Sequence, residues 1–65
     1  MTMTRWGDLV YAERTRHRLT RRVVAEVAHC HKRSIWFWEM GKWPLSESRA
    51  RQLLDAIKLL SEGKL

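Results

Sequence analysis

The segment from Lys32 to Pro44 reads KRSIWFWEMGKWP and sets Trp36, Phe37, Trp38 and Trp43 among the cations Lys32, Arg33 and Lys42. Cations alternating with large aromatics suit a polyanion, and among polyanions a nucleic acid first. The charge of the whole chain agrees. Its 65 residues carry a net charge of +6. Residues 1–43 hold nine Lys/Arg against four Asp/Glu, whereas residues 44–65 hold four against three. The excess is densest from Arg14 to Arg22, an asymmetry that general surface solvation does not explain.

Other chemistries fit the sequence less well. His17, His29, Cys30 and His31 are potential metal ligands, but adjacent ligands diverge, and the usual sites separate them by two or more residues. No metal is expected. The position of Cys30 predicts burial as a small hydrophobe, not a nucleophile. The chain has no paired carboxylates, phosphate-cradling glycine loop or Ser/His/Asp set, so neither an enzyme nor a cofactor is expected. A single cysteine excludes an internal disulfide framework and suits a reducing compartment. MTMTRW has no apolar run behind its basic residue, and no stretch approaches the ~20 apolar residues of a membrane span. A soluble, cytoplasmic protein with no membrane partner is the expectation.

These side chains must be positioned by helices. Strict alternation is absent and β-branched residues are few, which argues against strands. The spacing predicts a first helix from about Arg5 to Arg18, with Trp6, Leu9 and Val10 facing inward. Its next inward position would be the charged Glu13. Thr20 is an N-cap for a helix over Arg21–Ala28, although Val23 stands where a capping box would place Glu or Gln. His29-Cys30-His31 separates this helix from a third, Lys32–Met40, which Gly41 ends and Pro44 prevents from restarting. Ser46 caps a last helix over about 47–61, with Ala50, Leu53, Leu54, Ile57 and Leu60 as its apolar stripe. The whole of 1–65 is read as one all-α domain. At this size only about 60% of the unfolded surface is buried on folding, so a homodimer is a natural source of added stability.

The second and third helices, 21–40 with a three-residue turn, have the dimensions of a helix-turn-helix. If Arg21 is the first position of that unit, its inward positions are Val24, Ala25, Ala28, Cys30, Ile35 and Trp38, and all six are apolar. The small Ala25 lets the two helices cross closely.

The stretch LTRRVVAEVAHCHKRSIWFWEMGKWP resembles the helix-turn-helix of the Cro and phage-repressor family, also called lambda-repressor-like or XRE. Leu19, Thr20, Ala25, Ile35, Trp38, Glu39, Gly41, Lys42 and Pro44 stand in the order of that family's pattern, over about half the chain. The W-E-x-G-K ending is the most specific part. Departures are His29 at the family's turn glycine, Arg21 where a glutamine often starts the second helix, and a long fourth helix with no fifth. The family's usual dimerisation element is therefore expected to be absent or remodelled.

The resemblance implies a four-helix fold in which the third helix lies in the major groove of duplex DNA. His31, Lys32, Arg33, Trp36 and Phe37 would then be the base-reading face. Arg33 would be the main reader, since guanidinium matches guanine O6 and N7; Phe37 would lie on thymine methyl groups, and Trp36 would either do the same or lie along the sugar–phosphate wall. The other reading packs these two rings on a dimer partner or the N-terminal arm. Arg21, Arg22, Lys42 and Trp43 are candidates for the phosphate backbone, and Arg14 and Glu39 for an ion pair joining the first and third helices. Leu45, Leu59 and Leu65 are candidates for a dimer surface. The function implied is a sequence-specific regulator, a Cro-like repressor on a palindromic operator. The alternatives are a protein-binding module of the same fold, such as an antitoxin or phage adaptor, and a nonspecific basic nucleic-acid binder.

Overall fold

Helix boundaries in this chain follow from where backbone groups find caps. The computed structural model describes residues 5–63. It contains α1 (Trp6–Arg16), α2 (Arg21–Ala28), α3 (Lys32–Glu39) and α4 (Glu47–Ser61), with no strand among the described residues. Thr20 Oγ1 accepts from the Val23 N–H at 3.2 Å and Ser46 Oγ from the Arg49 N–H at 3.2 Å. Each satisfies a donor that the first helical turn leaves without a partner.

The first three helices end in one device. After α3, the Lys42 N–H donates to the Phe37 carbonyl at 2.9 Å and the Gly41 N–H to the Trp38 carbonyl at 3.3 Å, with Gly41 at φ +74°. This is a Schellman closure through a left-handed residue. The same long-range closure follows α1, where the Leu19 N–H meets the Arg14 carbonyl, and α2, where the Cys30 N–H meets the Ala25 carbonyl, both at 3.0 Å. Their left-handed residues are Arg18 at φ +58° and His29 at φ +57°. His29 thus adopts the conformation for which glycine is the usual choice. The closures also shorten two expected helices. α1 stops at Arg16 rather than Arg18, and Met40 lies just outside α3.

Helix α1 packs on α3 and α4, and α2 packs on the same two, so the four surround one core. Val10, Val24, Ala25, Ile35, Leu53, Ala56 and Ile57 form it, with Ala28, Cys30, Trp38 and Leu45 packed against its edge. Helices as short as α2 and α3 are marginal alone in water, and this shared core sustains them. Of the six inward positions in the α2–α3 unit, Val24, Ala25 and Ile35 are fully enclosed and the other three are half-buried.

The expected register of α1 needs correction. Its buried residues are Gly7, Val10 and Arg14; Trp6 is half-buried and Leu9 is 38% exposed. Gly7 is the reason. A Cβ on Gly7 would run into the Trp38 carbonyl oxygen, so α1 and α3 touch backbone to backbone where only glycine fits. That contact rolls the 7–10–14 stripe inward. In α4 the stripe holds, with Ala56 joining Ala50, Leu53 and Ile57 as buried, while Leu54 and Leu60 are half-buried.

Candidate nucleic-acid interface

Helix α3 begins at an unusual cap. His31 Nδ1 accepts from the Arg33 N–H at 3.1 Å, which leaves the imidazole's other nitrogen as its remaining polar atom. The cap leaves Lys32 and Arg33 exposed on the first turn. Neither has an ion-pair partner among the described residues. Lys42, exposed in the loop after α3, has none either.

The stretch from Arg14 to Arg22, densest in cations, is in a different state. Arg14 donates from Nε to Glu39 Oε2 at 2.7 Å, from Nη2 to Oε1 at 3.0 Å and from Nη1 to the Leu19 carbonyl at 2.8 Å. Arg21 Nε donates to Glu39 Oε1 at 2.8 Å. Arg16 pairs with Glu13 at 3.2 Å and Arg22 with Glu26 at 3.6 Å. Most of this positive charge is therefore met by a carboxylate within the chain. Among the described cations from Arg14 to Lys42, those without a carboxylate partner are Arg18 in the loop after α1, Lys32 and Arg33 on α3, and Lys42 in the loop after α3.

The expected Arg14–Glu39 pair is present, and a third member joins it. The Glu39 side chain has no exposed surface, and two guanidiniums hold it. Arg21, expected at a phosphate, is turned inward by this bond, although its side chain keeps 31% exposure. Sequence reasoning placed Arg21 by its position at the start of α2. It did not anticipate that a buried carboxylate accepting one Arg still has lone pairs for a second. Arg22 is bound only by an exposed pair four residues away, an interaction of about 0.3–0.5 kcal/mol that another anion can replace.

The aromatic residues divide. Trp38 packs at the core edge, with the Arg49 guanidinium 5.7 Å from its ring centre. Trp36 is 39% and Trp43 46% exposed. Phe37, expected to face outward with Trp36, is half-buried instead. Trp43 stacks on it with ring centres 4.3 Å apart and planes 17° apart, and the Trp36 ring meets it edge-on at 5.2 Å and 78°. The loop closure causes this. Both the Lys42 and Trp43 N–H groups donate to the Phe37 carbonyl, which folds the loop back over Phe37. Phe37 is thus the middle ring of three and not a free reader.

Of the dimer candidates, Leu45 is half-buried against the core edge; Leu59 is 37% exposed; Leu65 lies outside the described residues. No group of three metal-ligating side chains occurs among the described residues. Burial pushes the Cys30 thiol above its ordinary range, with Arg49 pulling weakly the other way, which keeps it protonated and a poor nucleophile. No described helix is long and apolar enough to cross a membrane.

The arrangement is a short helix with unpaired cations at its exposed N-terminal turn, an exposed indole one turn further on, and a buried ionic anchor at its far end. The chain matches no protein-family model, no curated protein and no solved structure.

Proposed function

We propose that this protein is a small sequence-specific DNA-binding regulator with a lambda-repressor-like fold of the Cro and XRE kind. It acts in the cytoplasm as a homodimeric repressor on a palindromic operator, as in phage or mobile-element control. The observation that carries this is the placement of unpaired charge. Lys32 and Arg33 stand exposed and unpartnered at the start of α3, while the arginines of α1 and α2 are held by carboxylates and only Arg18, in the loop between those helices, is not. A helix so equipped suits the major groove, where its N-terminal residues meet base edges. Arg33 reads a guanine, Lys32 and His31 lie beside it, and Lys42, Trp43 and Arg22 border the backbone. Arg21 contributes at its exposed edge.

The test is selection from a random duplex library, followed by titration of the selected site against scrambled DNA at near-physiological salt. Sequence-specific regulation predicts a palindrome bound ~10³-fold or more tighter than scrambled DNA. Uniform, salt-sensitive binding would mean a nonspecific binder instead.

A second reading has its own observation. Trp36, Met40 and Trp43 are all about two-fifths exposed or more, and exposed tryptophans often anchor protein interfaces. A protein-binding module would show no DNA preference and would lose its complex on Trp36→Ala.

A further inference from the structure

The three-ring stack joins the exposed Trp36 of α3 to the loop that follows the helix. We infer that Trp36 recognises the 5-methyl group of a pyrimidine in the base pair next to the guanine read by Arg33. The inference rests on the DNA-reading role proposed above.

Arg33 and Trp36 are three residues apart, hence on one face of α3. Their separation along the axis is about 4.5 Å, close to the ~3.4 Å step between base pairs. A side chain on that face one turn beyond a guanine-reading arginine therefore meets a neighbouring pair. The indole can offer that pair an apolar surface, and the matching feature in the major groove is the C5-methyl of thymine. A 5-methylcytosine presents the same group at the same place.

An exposed tryptophan on a surface helix ordinarily samples several rotamers. Trp36 is constrained. Its ring meets the Phe37 edge at 5.2 Å, and Phe37 is fixed from behind by Trp43 at 4.3 Å. The loop carrying Trp43 is closed on the Phe37 carbonyl by two N–H donors. Phe37 and Trp43 thus position Trp36, and of the three rings Trp36 is the one three residues from Arg33 on the same helix face. Edge-to-face and offset-stacked pairs are the preferred aromatic geometries, so the chain holds Trp36 ready before DNA arrives.

The experiment uses the full chain and the selected duplex. Deoxyuridine replaces thymine one position at a time, which removes a methyl group and nothing else. At the pair beside the Arg33 guanine, affinity is expected to fall about fourfold per methyl removed, the effect of losing one buried methyl group. If that pair carries cytosine instead, 5-methylcytosine should be preferred over cytosine by a similar factor, which separates the two sources of the group. Trp36→Ala should bind the thymine and uracil duplexes alike. Trp43→Ala, which leaves Trp36 in place, should reduce the thymine preference. Tight specific binding that is indifferent to every uracil substitution overturns the inference and leaves the DNA-reading role standing. The same holds if Trp36→Ala retains the full thymine preference. Absence of any preferred duplex overturns both.

Discussion

At its C-terminal end α3 is fixed on three sides. Glu39 is gripped by Arg14 from α1 and Arg21 from α2, Trp38 meets Gly7 at the backbone, and the loop closes over Phe37. At its N-terminal end nothing beyond a histidine cap restrains Lys32 and Arg33. Both ends belong to one helix of eight residues, and both are rich in charge. They differ in whether charge is matched. The anchored end takes its charges out of water and pairs them, which fixes geometry. The free end keeps its cations solvated and unpaired, and under the proposed function a phosphate or a guanine edge is their partner. An anchor at one end lets the other stay open without losing its aim.

The largest expected effect breaks the anchored end. Glu39→Gln leaves Arg14, 7% exposed, without its counter-charge. Removing one member of a buried pair costs roughly 3–5 kcal/mol, which urea unfolding would read directly. A loss below about 1 kcal/mol would mean that the network is solvated and holds nothing in place. Gly7→Ala attacks the same end through sterics. The added methyl meets backbone, which cannot rotate away, so a loss of about 1–3 kcal/mol is expected. Because α1 and α3 must separate to admit it, DNA affinity should fall beyond what the lost stability explains.

Before the free end of α3 stands the turn that joins it to α2. His29 sits at φ +57°, where a side chain costs about 1 kcal/mol or more relative to glycine. His29→Gly should therefore stabilise the fold by about 1 kcal/mol and raise the melting temperature by roughly 4–8 °C. No change would show that the imidazole makes a compensating contact. Arg18→Gly, at φ +58°, should act in the same direction.

Much of this was legible in the sequence because it depends on local rules. Thr20 and Ser46 announced their helices, Gly41 ended one, and the apolar spacing of the α2–α3 unit and of α4 matched the core. The Arg14–Glu39 pair came through the family resemblance. What was not legible depends on approach between elements distant in sequence. Nothing near Gly7 says that Trp38 will press on it, so α1 was given Trp6 and Leu9 as inward residues. Nothing near Phe37 says that Trp43 will stack on it, because five residues and a left-handed turn intervene. The cations of Arg14–Arg22 looked like the functional cluster because charge is additive along a sequence, while its neutralisation by Glu13, Glu26 and Glu39 is a matter of geometry.

The smallest effect on stability belongs to the free end, and it separates the two ends most sharply. Arg33 is exposed and unpaired, so Arg33→Ala should change unfolding free energy by no more than about 0.5 kcal/mol. On the selected duplex the same substitution should cost about 1–3 kcal/mol and relax preference at one base pair in each half-site. Arg22→Ala offers the control. Like Arg33 it is exposed, but its proposed contact is the backbone, so its loss should weaken all sequences alike and reduce the salt dependence. If Arg33→Ala behaves as Arg22→Ala does, the N-terminal end of α3 senses only phosphate, and the contrast between the two ends becomes one of anchoring alone.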